Sequence, residues 1–299
     1  MHRFYRSVGF SRLTELDDEE KLIQDVCAHS DFMQMAQLEG GYKYCEYSRL
    51  FGDDCGITVC GIYDRENRFH MDHSFPFYWG RLKTEIESLG MDQHMRSLSF
   101  ACACDDVRIG TTIIFYLTNT AEYLRTDPSF DSKDVTSTVY LSGLAESGAI
   151  LLPVASSHKA PAEDPGKLER RTNLVRAAQN GDEEAIENLT MEDYDLYTTI
   201  TRRVRKEDVY SIVDSYIIPY GMECDLYNIM GEIEEISETR NTVTKERIFR
   251  LSVRTNDIPL DICVNEKDLI GEPKVGRRYK GIVWLQGIVR FPPAAEGQP

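Results

Sequence analysis

The run from Arg277 to Phe291 (RRYKGIVWLQGIVRF) constrains the fold more than any other stretch of the chain. It is long, rich in β-branched and aromatic residues and free of proline, so it reads as a paired strand. Period two puts Tyr279, Val283, Leu285, Val289 and Phe291 on one face, which has the composition of a core. The other face carries Lys280, Ile282, Trp284, Gln286, Ile288 and Arg290. A tryptophan among cations is how small barrels stack bases or hold anionic partners. Lys280, Trp284, Gln286 and Arg290, with Arg277 and Arg278 just before them, therefore form the candidate binding site. The plainer reading turns Trp284 inward at a bulge on Gly281 or Gly287, as an ordinary core residue.

Upstream, the pattern keeps to strands. Leu226–Ser237 forms one, and the spacing of Ile233 and Ile236 breaks period two as a β-bulge does. Arg247–Arg254 sets Phe249, Leu251 and Val253 on one face, and Pro259–Val264 sets Leu260, Ile262 and Val264 together. Asn265 is placed to cap a short helical turn. Strands, a small helix, then a long strand predict an OB-like small β-barrel over residues 223–291, with 292–299 a frayed tail.

Residues 1–157 read as an α+β domain. Residues 2–10 pattern as a strand, and Ser11 or Thr14 is placed to cap a helix reaching about Cys27, with Asp17, Asp18 and Glu19 near its start. Strands follow at 42–51, 57–63 and 68–77, the last two joined by a turn at Asp64–Asn67. A helix-like stretch spans Leu82–Leu89, then strands at 98–104, 111–117, 138–141 and 150–154. The polar, proline-containing stretch 156–166 reads as a linker. It opens a connector over 158–222 with helices at 168–180 and 182–189, and at 191–205 from the capping-box spacing of Thr190 and Asp193. The expected class is α+β: an N-terminal antiparallel sheet with helices, a helical connector and a C-terminal OB-like barrel.

The formal net charge of −16 argues against general binding to nucleic acid or to anionic membranes. The excess lies upstream. Residues 223–291 hold 11 Lys and Arg against 12 Asp and Glu, so this segment can meet an anion that the rest repels. No apolar run approaches the roughly 18 residues of a membrane span. The first residues lack a signal peptide's apolar core, and eight cysteines without a C-x-x-C pair read as reduced, mostly buried thiols. The expected location is the cytoplasm.

Two other chemistries have candidates. Cys55, Cys60, His70, His73, Cys102 and Cys104 are soft ligands able to hold a metal if their strands adjoin, although cysteines inside strands are more often buried thiols. His70, His73 and His94, with Asp53, Asp54, Asp72, Asp105 and Asp106, supply bases and carboxylates for an enzyme. No phosphate loop, dinucleotide fingerprint, nucleophile elbow or H-E-x-x-H is present, so no cofactor is called for. The aromatic cluster Phe75–Trp79 reads as core or interface.

Several stretches together carry a family resemblance: residues 1–4 (MHRF), 7–11 (SVGFS), 110–119 (GTTIIFYLTN), the turn Asn180–Asp182, 214–221 (DSYIIPYG), 229–233 (IMGEI) and 276–287 (GRRYKGIVWLQG). The combination resembles a family of uncharacterised cytosolic proteins from Clostridia-type Gram-positive bacteria, known as a domain of unknown function. The resemblance spans nearly the whole chain and implies a full-length bacterial protein. It carries over no catalytic or binding residue. The residues themselves favour a non-catalytic binding or regulatory protein, acting through its C-terminal barrel on another protein or a small anionic ligand. An enzyme with its centre near His70 and His73 is the alternative, and a metal-binding protein the second.

Overall fold

Short turns organise the first sheet. β1 (Phe32–Gln37), β2 (Lys43–Gly52), β3 (Cys55–Tyr63) and β4 (Phe69–Tyr78) follow one another as an antiparallel meander, because short connections leave neighbouring strands antiparallel. Asp54 and Asn67 take positive φ in the reversals before β3 and before β4, a conformation that Asp and Asn tolerate best among residues with a side chain. The structure is a computed structural model that describes residues 2–13, 15–86, 89–94, 97–106, 111–126, 137–154, 170, 173–174, 177–178, 181–191, 210 and 212–291.

A second, mixed sheet of eleven strands takes up most of the remainder. It comprises β5 (Lys83–Ile86), β6 (Leu89–Gln93), β7 (Phe100–Asp106), β8 (Thr111–Leu117), β9 (Ser137–Leu151), β10 (Tyr216–Pro219), β11 (Leu226–Arg240), β12 (Arg247–Thr255), β13 (Ile258–Asn265), β14 (Leu269–Ile270) and β15 (Arg278–Arg290). Its order is β10-β11-β12-β13-β9-β15-β8-β7-β6, with β15 also pairing β11, and with β5 and β14 attached to β9. The β13–β9, β14–β9 and β15–β8 pairs are parallel.

This topology overturns the expected α+β class and the closed C-terminal barrel. Strands dominate the described residues, and residues 223–291 do not close on themselves. Between β13 and β15 lies β9, which comes from before residue 158. The stretch expected at 138–141 and the first two residues of the one expected at 150–154 belong to this one 15-residue strand, which ends at Leu151. The physical reason is general: alternation reports which face of a strand is buried, not which strand lies beside it.

Smaller corrections have local causes. The helix-like stretch Leu82–Leu89 holds β5 and the start of β6, where tertiary pairing overrides propensity. Residues 2–10 form a 3-10 turn at Arg3–Val8, ended by Gly9 at φ 92°. α1 (Leu16–Ala28) starts after Glu15, whose side chain makes no capping bond, rather than at Ser11 or Thr14. The linker at 156–166, most of the helices expected at 168–180 and 191–205, and the tail 292–299 lie outside the described residues. Among the described residues no helix is long and apolar enough to cross a membrane.

Two cores result. One is enclosed by the eleven-stranded sheet and includes Phe115, Leu141, Leu251, Ile262 and Leu285. The other lies between the sheets: Phe51, Ile57, Phe75 and Phe77 meet Leu144, Leu226, Ile248 and Trp284, with Phe4, Tyr5 and Val8 of the N-terminal turn packed among them. β15 is thus covered on both sides, which is why it is apolar on both faces. Gly287 permits one of these close approaches, since a Cβ there would lie 2.5 Å from the Phe115 ring.

Asn241 fastens the N-terminal turn to the loop after β11. Its Nδ2 donates to the Val8 carbonyl at 2.8 Å, and its Oδ1 accepts from the Val243 and Thr244 amides at 2.9 Å each. Asn241→Ala leaves these groups unpaired, so urea unfolding is expected to show a loss of about 2 kcal/mol. A loss below about 0.5 kcal/mol would show that other contacts hold the turn.

Candidate functional site

Where the two sheets and the N-terminal turn meet, they leave a cleft of about 730 Å³. Its walls include His2, His73, His94, Tyr116, Asp225 and Trp284. β4 contributes His73, β8 Tyr116, β15 Trp284, and the loop after β6 His94.

β4 presents its polar pair through a bulge. Successive residues of a regular strand point to opposite faces. On the β3–β4 ladder, however, Cys60 pairs with His73 and Gly61 with Met71, so Asp72 is the extra residue. A bulge re-aims side chains, and here Asp72 Oδ2 reaches His73 Nδ1 at 2.9 Å. The same oxygen accepts the Leu98 amide at 2.9 Å, which anchors the β6–β7 loop against β4. A carboxylate only accepts, so His73 Nδ1 carries the proton and its Nε2 accepts from the Tyr116 hydroxyl at 3.0 Å.

Burial decides the charge states. It holds His73 below the ordinary imidazole pKa, with the Asp72 carboxylate opposing it. It pushes His2 down to about 4, with Arg3 and His73 adding to the effect. It raises Tyr116 well above the ordinary phenol, helped by nearby Cys60 and Glu46. At neutral pH His2 and His73 are therefore uncharged and Tyr116 keeps its proton. The His94 ring lies along Tyr116 with centroids 6.3 Å apart. His94 Nε2 and His2 Nδ1 are both buried and have no hydrogen-bond partner among the described residues.

Trp284 closes one side of the cleft. It is 5% exposed, and its indole N–H donates to Asp225 Oδ2 at 2.7 Å. Its ring lies 4.6 Å from His2, 5.1 Å from Tyr116 and 5.6 Å from Phe4. Of the six residues expected to share a binding face, Trp284 alone lines this cleft. Gln286 is fully buried, donating to the Pro76 carbonyl at 2.8 Å and accepting the Tyr78 amide at 3.3 Å. Arg278 is buried and gives its guanidinium to the carbonyls of Leu152, Val213 and Tyr210. Lys280 bonds the Tyr210 hydroxyl and sits 4.3 Å over that ring. Arg277 donates to the Glu272 carbonyl, and exposed Arg290 stands over Tyr140. The alternation along β15 holds, with Tyr279, Val283, Leu285 and Val289 in the core. What it cannot report is that the other sheet covers the opposite face at Trp284 and Gln286.

Of the acid–base candidates, Asp72, His73 and His94 come together. His70 is exposed and pairs with Asp64 at 2.8 Å, and Asp53 and Asp54 engage Arg250. The side chains of Asp105 and Asp106 lie outside the described residues. Cys55 and Cys60 sit in the inter-sheet core, Cys102 and Cys104 in the other core. Among the described residues no three His, Cys, Asp or Glu groups stand together as a metal site. His2, Tyr116 and Asp225 carry no local signal of their role, and the sequence offers Asp72 and His73 only as members of a longer set of carboxylates and bases.

The family described as "Domain of unknown function, E. rectale Gene description (DUF3881)" matches residues 5–287, and the chain belongs to that family. No curated protein and no solved structure matches the chain.

Proposed function

We propose that the protein binds a small organic molecule in the cleft between its two sheets, as a non-catalytic binding or regulatory protein. The observation that carries this reading is the pair of buried, unpartnered ring nitrogens on His2 and His94, both on residues lining an aromatic-walled cleft. A buried polar atom without a partner costs about 1–3 kcal/mol, and a ligand that pairs with it recovers that cost. The cleft's volume also suits a small molecule, for which pockets of roughly 300–1,000 Å³ are usual. The same reading places the protein in the cytoplasm, supported by eight cysteines that stand as free thiols.

An NMR screen of aromatic fragments, read on the Trp284 indole N–H, tests the proposal. Hits are expected to shift that signal and to be lost in Ser97→Trp, which fills the cleft from the β6–β7 loop. Hits that leave Trp284 unmoved and survive Ser97→Trp would place binding elsewhere and sink the reading.

An acid–base enzyme is the second reading, favoured by the hydrogen-bonded line Asp72–His73–Tyr116. There His73 is the proton acceptor oriented by Asp72, as in catalytic triads. Under that reading a cleft ligand is turned over, and His73→Gln stops turnover while leaving ligand binding in place.

A further inference from the structure

We propose that the cleft takes an organic ammonium ion: a protonated amine carried on a flat, preferably aromatic, frame. The proposal rests on the reading of the cleft as a ligand site and names the ligand's charge and donor character.

The first argument is charge. Among the described residues, Glu223 and Asp225 line the cleft and Asp72 stands directly behind His73. Against these three carboxylates stand Arg3, whose guanidinium is already bound to Glu223, and the N-terminal ammonium, whose charge helps to lower the His2 pKa. His2 and His73 do not restore the balance, because burial keeps both uncharged at neutral pH. An anion entering here meets more carboxylates than cations, whereas a cation finds unneutralised carboxylate.

The second argument is the wall. The Tyr116 and Phe4 rings lie 5.1 and 5.6 Å from that of Trp284, and all three residues line the cleft. Aromatic faces carry negative charge density and attract cations, most strongly at indole. The third argument is hydrogen bonding. A neutral imidazole offers a lone pair, so the uncharged ring of His2, whose Nδ1 has no partner among the described residues, can accept from an ammonium N–H, as an imidazolium could not. Carboxylate, π-face and imidazole lone pair all select the same ligand property, a positively charged donor.

Benzylamine, benzyl alcohol and benzoate share one frame and differ in charge, so they separate this proposal from the general one. Each is titrated into the full chain near neutral pH and followed on the Trp284 indole N–H, assigned with the help of Trp79→Phe. Benzylamine is expected to bind at least about tenfold more tightly than benzyl alcohol, and benzoate more weakly than either. Asp225→Asn is expected to shrink the amine's advantage severalfold. Its Oδ1 can still accept the indole N–H, so the wall itself stays in place. If benzyl alcohol or benzoate binds as well as benzylamine, the ammonium class is overturned and the cleft remains a ligand site. If none of the three moves the signal, the ammonium class is again overturned, and the fragment screen with Ser97→Trp decides the cleft separately. An amine advantage that is unchanged in Asp225→Asn and lost in Ser97→Trp would assign the cation to the cleft but not to Asp225, and overturns the charge argument as made.

Discussion

Trp284→Ala is expected to lower stability by about 3–5 kcal/mol, the usual cost of truncating a large buried aromatic. The indole sits where the N-terminal turn, β8 and β15 meet, against Phe4, Tyr116 and His2. Its removal opens a void between the two sheets and takes the donor from Asp225. Trp284→Phe keeps much of the volume but not the N–H, and should lose about 1–2 kcal/mol. Urea unfolding followed by far-ultraviolet circular dichroism measures both. The order matters: equal losses would mean that the hydrogen bond, not packing, dominates. A loss below about 1 kcal/mol for the alanine variant would contradict burial between the layers.

The second large effect is a pH dependence centred on Glu46. This residue is buried on β2, and its Oε1 accepts from the Ala121 amide at 3.0 Å and from the Tyr44 hydroxyl at 3.2 Å. Burial raises its pKa from 4.5 to about 7, against the opposing pull of the Ala121 and Tyr44 bonds and of Arg125. The folded protein therefore binds the proton more tightly than the unfolded chain. Stability from this group is fully present below about pH 4.5 and is lost as pH rises through about 7; the whole interval is worth about 3 kcal/mol. Glu46→Gln keeps an Oε1 for both donors and cannot ionise. Relative to the variant, the natural protein should lose about 3 kcal/mol between about pH 4 and pH 8, read from denaturant midpoints at matched ionic strength. A difference that stays constant with pH would show that Glu46 titrates normally. A difference of opposite sign would show that the hydrogen bonds outweigh burial and hold the carboxylate charged.

Much of the strand content is legible in the residues themselves. β12 and β13 show period two, and the broken period at Ile233 and Ile236 corresponds to the register shift between Ile233 and Glu235 on the β11–β12 ladder. Asn265 does cap a short turn, accepting from the Lys267 amide at 3.0 Å. The β3–β4 hairpin follows from Asp64–Asn67. These features depend on contacts within a few residues, so a local pattern can carry them. The errors fall where partners are distant. Leu82–Leu89 is polar and short enough to suit a helix, and becomes strand by pairing Lys83–Ile86 with Ser137–Tyr140 of β9. β9 separates β13 from β15, although more than 70 residues of chain lie between its end and the start of β11. The candidate site shows the same division. His73 and His94 were visible as titratable residues, but the bulge that turns Asp72 toward His73 belongs to the register of two strands.

Trp284 condenses the distinction. The sequence by itself determined that it stands on a long strand, on the face opposite Tyr279, Val283, Leu285 and Val289, because side-chain direction in a strand follows the covalent geometry of the chain. It also determined that this strand carries basic residues within an acidic protein. Only the tertiary structure decided that a second sheet and the N-terminal turn cover that face. They bury Gln286 and place Trp284 beside His2 and Tyr116 at the edge of a cleft, while Leu152, Val213 and Tyr210 take up Arg278 and Tyr210 takes Lys280. The physical reason is that period two specifies two faces but not what packs on either, and that choice is made by residues as far away in the chain as His2 and Phe4.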